Sequence, residues 1–274
     1  MQRRHPYVIG AGLAAAALAL AGCAGGGSDN ATGDPAGGGG DDFGLVAPGT
    51  LTVCSDIPYP PFEFEDADSP SGYSGFDIDL LTAIAESLDL EFAVQDVGFD
   101  GLQSGTTLAA GECDIAASAM TITEERQANI DFSDPYYDSL QSLLVPADSG
   151  IASIEDLGGK TVGVQQGTTG EAYTEENAPE GTEIVAFPSD GELWPALQAG
   201  SIDAILQDLP VNVEHERADS GYTIVEEYET DEQYGFGFAK GEKTALLDAV
   251  NEALAQLRED GTYQEIYDEY FATN

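Results

Sequence analysis

The chain has 274 residues and carries 8 Lys and Arg against 51 Asp and Glu, a formal net charge of −43. So acidic a chain lacks the clustered cations that nucleic acid demands and is repelled by an anionic membrane surface, while its 42% of hydrophobic residues excludes wholesale disorder. Carboxylates at this density repel one another in dilute salt and are screened in concentrated salt, where the Debye length falls to about 3 Å at 1 M; the composition predicts a halophilic, salt-adapted protein.

In chain order, residues 1–22 read as an export signal. Arg3 and Arg4 open it, and Val8 to Ala21 form an Ala/Leu-rich stretch shorter than the roughly 20 residues that span a bilayer. Leu20-Ala21-Gly22-Cys23 then resembles the lipobox of lipoproteins, which implies a lipidated Cys23 as the mature N-terminus; a secreted protein with a chance cysteine is the alternative. Residues 23–45, rich in Gly and Asp, read as a flexible tether with nothing to bury.

From residue 46 short apolar strands alternate with amphipathic helices. Leu51-Thr52-Val53 predicts a strand, Ile78, Leu81, Ile84, Ala85 and Leu88 share one helical face, and Glu91 to Val94 and Asp114 to Ala119 predict two further strands. A second series has strands at Thr161 to Val164, Thr182 to Phe187 and Ile202 to Leu206, with helices from Thr169 and near Leu193 to Ala199. Ser189-x-x-Glu192 has the form of a capping box, but Pro195 beyond the first turn predicts a later helix start. Leu246, Leu247, Val250, Leu254 and Leu257 mark a last long helix closed by Gly261, and Thr262-x-x-Glu265 predicts a boxed short helix after it. Two such series imply two α/β lobes built on parallel sheets. Cys54 and Cys113 lie in strand-like runs, where we expect buried core thiols, a disulfide being the alternative open to an exported chain.

Ligands of open parallel sheets bind beyond the carboxyl ends of the strands. In this chain those positions hold Asp56 and Tyr59, Phe99, then Ser118, Thr121 and Arg126, then Gln165, Thr168 and Thr169, and finally Asp208. Arg126 suits a carboxylate through two parallel hydrogen bonds, or pairs on the surface with Glu124 or Glu125. Thr168-x-x-Glu171 starts a helix whose free N–H groups take an anion or are simply capped. Asp208 can hold an ammonium group or be an ordinary loop aspartate; Tyr59 and Phe99 can flank a ligand or pack the core; Asp56 can be a turn residue. Enzyme signals are weak. No Gly-rich phosphate loop and no metal-ligand spacing occurs, so neither cofactor nor metal is expected, and His215, between Glu214 and Glu216, is expected to be exposed.

The strings Tyr59 to Phe64, Gly72 to Leu80, Met120 to Arg126, Asp131 to Tyr137, Val162 to Thr169, Ala196 to Ala204 and Asp260 to Tyr263, in that order, resemble the family 3 extracellular solute-binding proteins, the polar amino-acid receptors of ABC importers. The resemblance covers about residues 46–272. It implies a two-lobed α/β periplasmic-binding-protein fold of type II with two hinge crossings, lobe 1 at 46–139 plus 236–274, and lobe 2 with the hinge segments at 140–235. It also implies that the ligand's α-carboxylate meets Arg126, Thr121 and Thr169, that its α-ammonium meets Asp208 and Ser118, and that Tyr59 and Phe99 flank its side chain. The implied partners are a free amino acid and an ABC permease with its ATPase, approached by a monomer held outside the cell membrane through its lipid anchor alone.

An Asp at the position of Asp56 and a Gln at Gln165 favour a basic or amide side chain on the ligand. Two other readings compete: a dehydratase-type enzyme on the same fold, against which the Arg126–Asp208 pair argues, and a receptor for a compatible solute such as ectoine.

Overall fold

The computed structural model describes residues 43–272. The export signal, Cys23 and the tether up to residue 42 lie outside the described residues. The first series comprises β1 (Thr50–Ser55), β2 (Phe64–Glu65), β3 (Tyr73–Ser74), α1 (Phe76–Ser87), β4 (Glu91–Asp96), α2 (Phe99–Gln103), α3 (Thr106–Ala109), β5 (Ile115–Ala116), α4 (Glu124–Gln127) and β6 (Ile130–Phe132). The second comprises β7 (Tyr137–Pro146), a 3₁₀ turn at Ile154–Leu157, β8 (Thr161–Gln165), α5 (Thr169–Asn177), β9 (Glu183–Phe187), α6 (Asp190–Gln198), β10 (Ala204–Asp208), α7 (Leu209–Ala218) and β11 (Tyr222–Tyr234). β12 (Gly237–Ala239), α8 (Thr244–Asp260) and α9 (Thr262–Phe271) return to the first lobe.

Each lobe is built on a five-stranded sheet, ordered β4-β1-β5-β12-β6 in the first and β11-β7-β10-β8-β9 in the second. The βαβ units are parallel, β1 beside β4 and β5, and β8 beside β9 and β10. The sheets are nonetheless mixed rather than purely parallel. β12 runs antiparallel to β5 and β6, and β7 antiparallel to β10 and β11, because these strands carry the chain between lobes rather than through a helical crossover. Tyr137 and Tyr234, at one end of β7 and β11, pack into the core of the first lobe, while Leu143, Leu144 and Val145 belong to the cores on the two faces of the second sheet.

β1 is buried along almost its whole length, as a central parallel strand requires. The predicted face of α1 is buried except at Leu88, its C-cap, and Gly261 closes α8 at φ 93°. Gly163 on β8 leaves room for α6 and the strand start behind it: a Cβ there would lie 2.5 Å from Leu193 and 2.4 Å from Ile202.

Four sequence expectations are corrected. Cys54 and Cys113 form a disulfide, because the parallel neighbours β1 and β5 bring their Cα atoms to 5.8 Å. His215 is buried: its ring stacks on Trp194, centroids 4.3 Å apart, and its Nε2 lies 2.9 Å from Asp190, so the acidic flanks Glu214 and Glu216 did not predict its side of α7. Helix α6 starts at Asp190 and carries Pro195 inside it; proline has no N–H, so the bond to Gly191 O is forgone, while Ala199 N still donates to Pro195 O at 2.9 Å. The box predicted at Thr262 does not form; the cap of α9 is Gly261, and Asp260 accepts from the Thr262 N–H at 2.9 Å.

Candidate functional site

The strand ends of the two sheets face a common cavity, and all ten sequence-predicted residues line it, together with Ala119. Asp56 and Tyr59 come from the loop after β1, Phe99 opens α2, and Ser118 and Thr121 follow β5. β5 pairs only over Ile115–Ala116, shorter than predicted, which leaves Ser118, Ala119 and Thr121 to line the cavity. Gln165 ends β8, Thr168 caps α5, Thr169 begins it, and Asp208 ends β10.

Arg126 lies on α4 and is 5% exposed. It pairs with neither Glu124 nor Glu125. Its Nη1 donates to Thr121 O at 2.8 Å, its Nη2 crosses to Gly167 O at 3.1 Å, and its guanidinium lies 5.2 Å from the centroid of the Phe99 ring. Among the described residues it makes no salt bridge, whereas Lys160, Arg217, Lys240 and Lys243 each do. Burial lowers its pKa, and the charges of Asp208 and Glu232 oppose that shift. A buried cation bonded only to carbonyls still has its charge to be matched.

Asp208 is the counterpart on the second lobe. Burial, then the charge of Glu232, push its carboxyl up to about 7, against hydrogen bonds from Tyr234, Tyr59 and Gln141. Tyr234 Oη donates to Asp208 Oδ2 at 2.6 Å, Tyr59 Oη to the same oxygen at 2.9 Å, and Gln141 Nε2 to Oδ1 at 2.5 Å. Asp56 is likewise pushed up to about 7 by burial, and Gln165 Nε2 donates to its Oδ2 across the lobes at 2.6 Å. Three direct bonds thus join the lobes around the cavity: Tyr59 to Asp208, Gln165 to Asp56, and Arg126 to Gly167.

Helix α5 starts where its sequence predicts. The Thr168 hydroxyl accepts from Glu171 N at 3.1 Å, but Glu171 turns back to Gly167 N, at 2.6 Å, rather than to its own cap residue. Gly170 lets that helix approach closely: a Cβ would sit 2.9 Å from the Gln141 side chain and 3.1 Å from Leu206 O. Ser118 Oγ accepts from Asp56 N and donates to Glu63 Oε1 at 2.5 Å. Behind it, Asp77 receives Ala119 N at 3.0 Å and Tyr136 Oη at 2.7 Å. Burial and the neighbouring Asp77 charge raise Glu63 well above the usual carboxylate range.

Sequence reasoning missed the residues contributed by the crossing strands. Gln141 on β7 and Glu232 and Tyr234 on β11 bond directly to pocket residues. Glu232 sits in an acidic run that reads as a solvated face. Its local signal is the alternation Tyr228-x-Thr230-x-Glu232-x-Tyr234, which places it on the less exposed side of β11; the register shift between Tyr228 and Glu232 keeps that side. Among the described residues no group of three His, Cys, Asp or Glu is arranged to hold a metal ion.

The sequence model of the bacterial extracellular solute-binding proteins, family 3, matches residues 51–273. The chain belongs to this family. It is 32% identical over 271 residues to a probable histidine-binding protein of Neisseria gonorrhoeae, covering 96% of this chain and 95% of that one. Among solved structures it is similar to an ancestral arginine-binding protein bound to arginine, with 38% identity, a TM-score of 0.75, and coverage of 82% of this chain and 99% of that one. It is also similar to an ancestral amino-acid-binding protein described as a precursor of cyclohexadienyl dehydratase, with 38% identity, a TM-score of 0.74, and coverage of 81% and 96%. The two-lobed type II fold is therefore that of the family.

Proposed function

We propose that the protein captures a free polar amino acid, with a basic or amide side chain favoured, outside the cell membrane by closing its lobes on it, and delivers it to the permease of an ABC importer. One observation carries this reading: a buried guanidinium without a carboxylate partner on one lobe, and on the other a buried carboxyl raised to about 7 for want of a cation, both lining one cavity. A zwitterion answers both needs at once. Its carboxylate supplies Arg126 with an anion, and its ammonium gives Asp208 the cation that restores its charge. Bridging the lobes, such a ligand gains most of its contacts only in the closed form, which is what shifts an open–closed equilibrium.

Asp56 and Gln165 meet across the lobes in the cavity wall, and we assign the ligand side chain to them. A carboxyl held neutral by burial is suited to a guanidinium, imidazolium or ammonium, and the Gln165 amide to an amide. We infer no chemical step. A dehydratase would work by moving a proton at the cleft and has no need of an ammonium-binding Asp208. We further infer that the protein is a monomer held at the membrane by lipidated Cys23 and adapted to concentrated salt.

Calorimetric titration of the mature protein with the twenty amino acids in molar salt tests the reading. Binding of at least one basic or amide amino acid is expected, and Arg126→Ala and Asp208→Ala should each weaken it about 100-fold, as truncating one partner of a buried charge pair does. Absence of any binding, or unchanged affinity in both variants, overturns it.

A further inference from the structure

Glu232 occupies an unusual position. It comes from crossing strand β11, is 7% exposed, and reaches both walls of the cavity. Its Oε2 accepts the hydroxyl of Thr121 from the first lobe at 2.7 Å and that of Thr169 from the second, also at 2.7 Å. Its Oε1 accepts Gln141 Nε2 at 3.1 Å, the same nitrogen that donates to Asp208.

Two consequences follow from counting protons and charges. A threonine hydroxyl has one proton to donate. With both directed at Glu232, Thr121 and Thr169 present lone pairs to the cavity, and a ligand carboxylate is left to Arg126 and to backbone N–H groups. In charge, Glu232 joins Asp208 and Asp56 around a single cation, Arg126. Burial holds the carboxyls of Asp208 and Asp56 toward the neutral form unless positive groups are brought to them. The other ionisable groups facing this cluster are Tyr59 and Tyr234, held neutral by burial and by Asp208, and Asp96, Asp190 and Glu63, whose negative charge adds to that around Asp56 and Tyr59. A zwitterion alone leaves the cavity short of positive charge, a further cation halves the shortfall, and an anionic side chain worsens it.

We propose that Glu232 is a specificity-determining residue: by taking the hydroxyl protons of Thr121 and Thr169 and placing a fixed negative charge beside Arg126 and Asp208, it selects amino acids with a cationic side chain and rejects those with an acidic one. The proposal rests on the amino-acid reading above and narrows it from basic or amide to basic.

The test measures Kd for L-arginine and L-glutamate on the mature protein and on Glu232→Gln and Glu232→Asp. At roughly 10 Å and an effective dielectric near 20, one unit charge changes affinity about tenfold. Glu232→Gln is therefore expected to bind arginine about tenfold more weakly and glutamate about tenfold more tightly, while Glu232→Asp keeps the native preference. Equal losses for both ligands in Glu232→Gln, or no change in their ratio, overturn the proposal, since a purely structural residue would not move the two in opposite directions. If the unaltered protein binds no amino acid, the functional reading fails, and a ligand-free measurement decides for Glu232. In a carbon-13 NMR titration Asp208 is expected to titrate at lower pH in Glu232→Gln than in the unaltered protein. An unchanged Asp208 titration shows that Glu232 does not set the charge of the cleft.

Discussion

The cleft and the outer surface of this protein are rich in the same two residue types, and they treat them in opposite ways. On the surface, Asp66, Asp131 and Asp260 have pKa values lowered by hydrogen bonds, two of them by backbone N–H groups first and Asp131 by Lys240 first. In and behind the cleft, Asp56, Asp77 and Asp208 are pushed up to about 7 by burial. An exposed carboxylate is ionised throughout the physiological range and responds to salt. A buried one waits for a partner and responds to protons and ligands. Net charge alone therefore says little about function in this chain; function lies in the few acids taken out of water.

Salt probes the surface side of this comparison and has the largest expected effect. Raising salt from 0.1 M to 2 M should raise the melting temperature of the ligand-free protein by about 10 °C, because many surface carboxylates are relieved together. A melting temperature unmoved by salt would break the contrast on the surface side.

A pH series in molar salt, with the surface screened, isolates the interior. The carboxyls of Asp56, Asp77 and Asp208 bind protons more tightly folded, near 7, than their ordinary 3.8. The stability this contributes is complete below about pH 4 and is lost as pH rises through about 7. The melting temperature of the ligand-free protein should fall by about 5 °C between pH 5 and pH 8. Asp66, Asp131 and Asp260 act with the opposite sign, losing stability only as pH falls below the ordinary carboxylate range, outside that window. A flat or rising curve from pH 5 to pH 8 would show that the buried acids already have partners.

The smallest effect compares single residues. At pH 8 Asp208→Asn should raise the melting temperature of the ligand-free protein by about 3 °C, since a neutral amide replaces a carboxylate forced to ionise in a buried site. Asp66→Asn, on the outer surface, should change it by about 1 °C or less. Equal shifts would mean that burial does not separate the two populations.

Much of this was legible in the sequence. The alternation of strands and helices gave the two lobes, and the rule that ligands sit beyond strand ends pointed to Arg126 and Asp208, which the fold does bring to one cavity. What escaped were relations between distant segments. Cys54 and Cys113 are 59 residues apart, and the pairing of β1 with β5 that joins them is not written in either local run. His215 reads as exposed because its neighbours are acidic, while Trp194 and Asp190, which bury it, come from another helix. Glu232 is one acid in a stretch of acids, and only its alternation with Tyr228 and Tyr234 along β11 marks it as facing inward. Local pattern reports which face of an element is covered; it does not report which polar residue on that face will meet a side chain from a distant segment.

The two strands that pass between the lobes are also partners of each other, β7 beside β11 over most of their length, with the pairing interrupted between Tyr228 and Glu232. A ladder of this kind flexes readily at its gap but resists sliding lengthwise, since slippage would break every rung at once. The lobe closure proposed above would thus be confined to a swing about one axis, like a door on paired pins. The jaws would then meet in a single alignment, with the span available to a captured molecule set by the frame rather than adjusted to each guest.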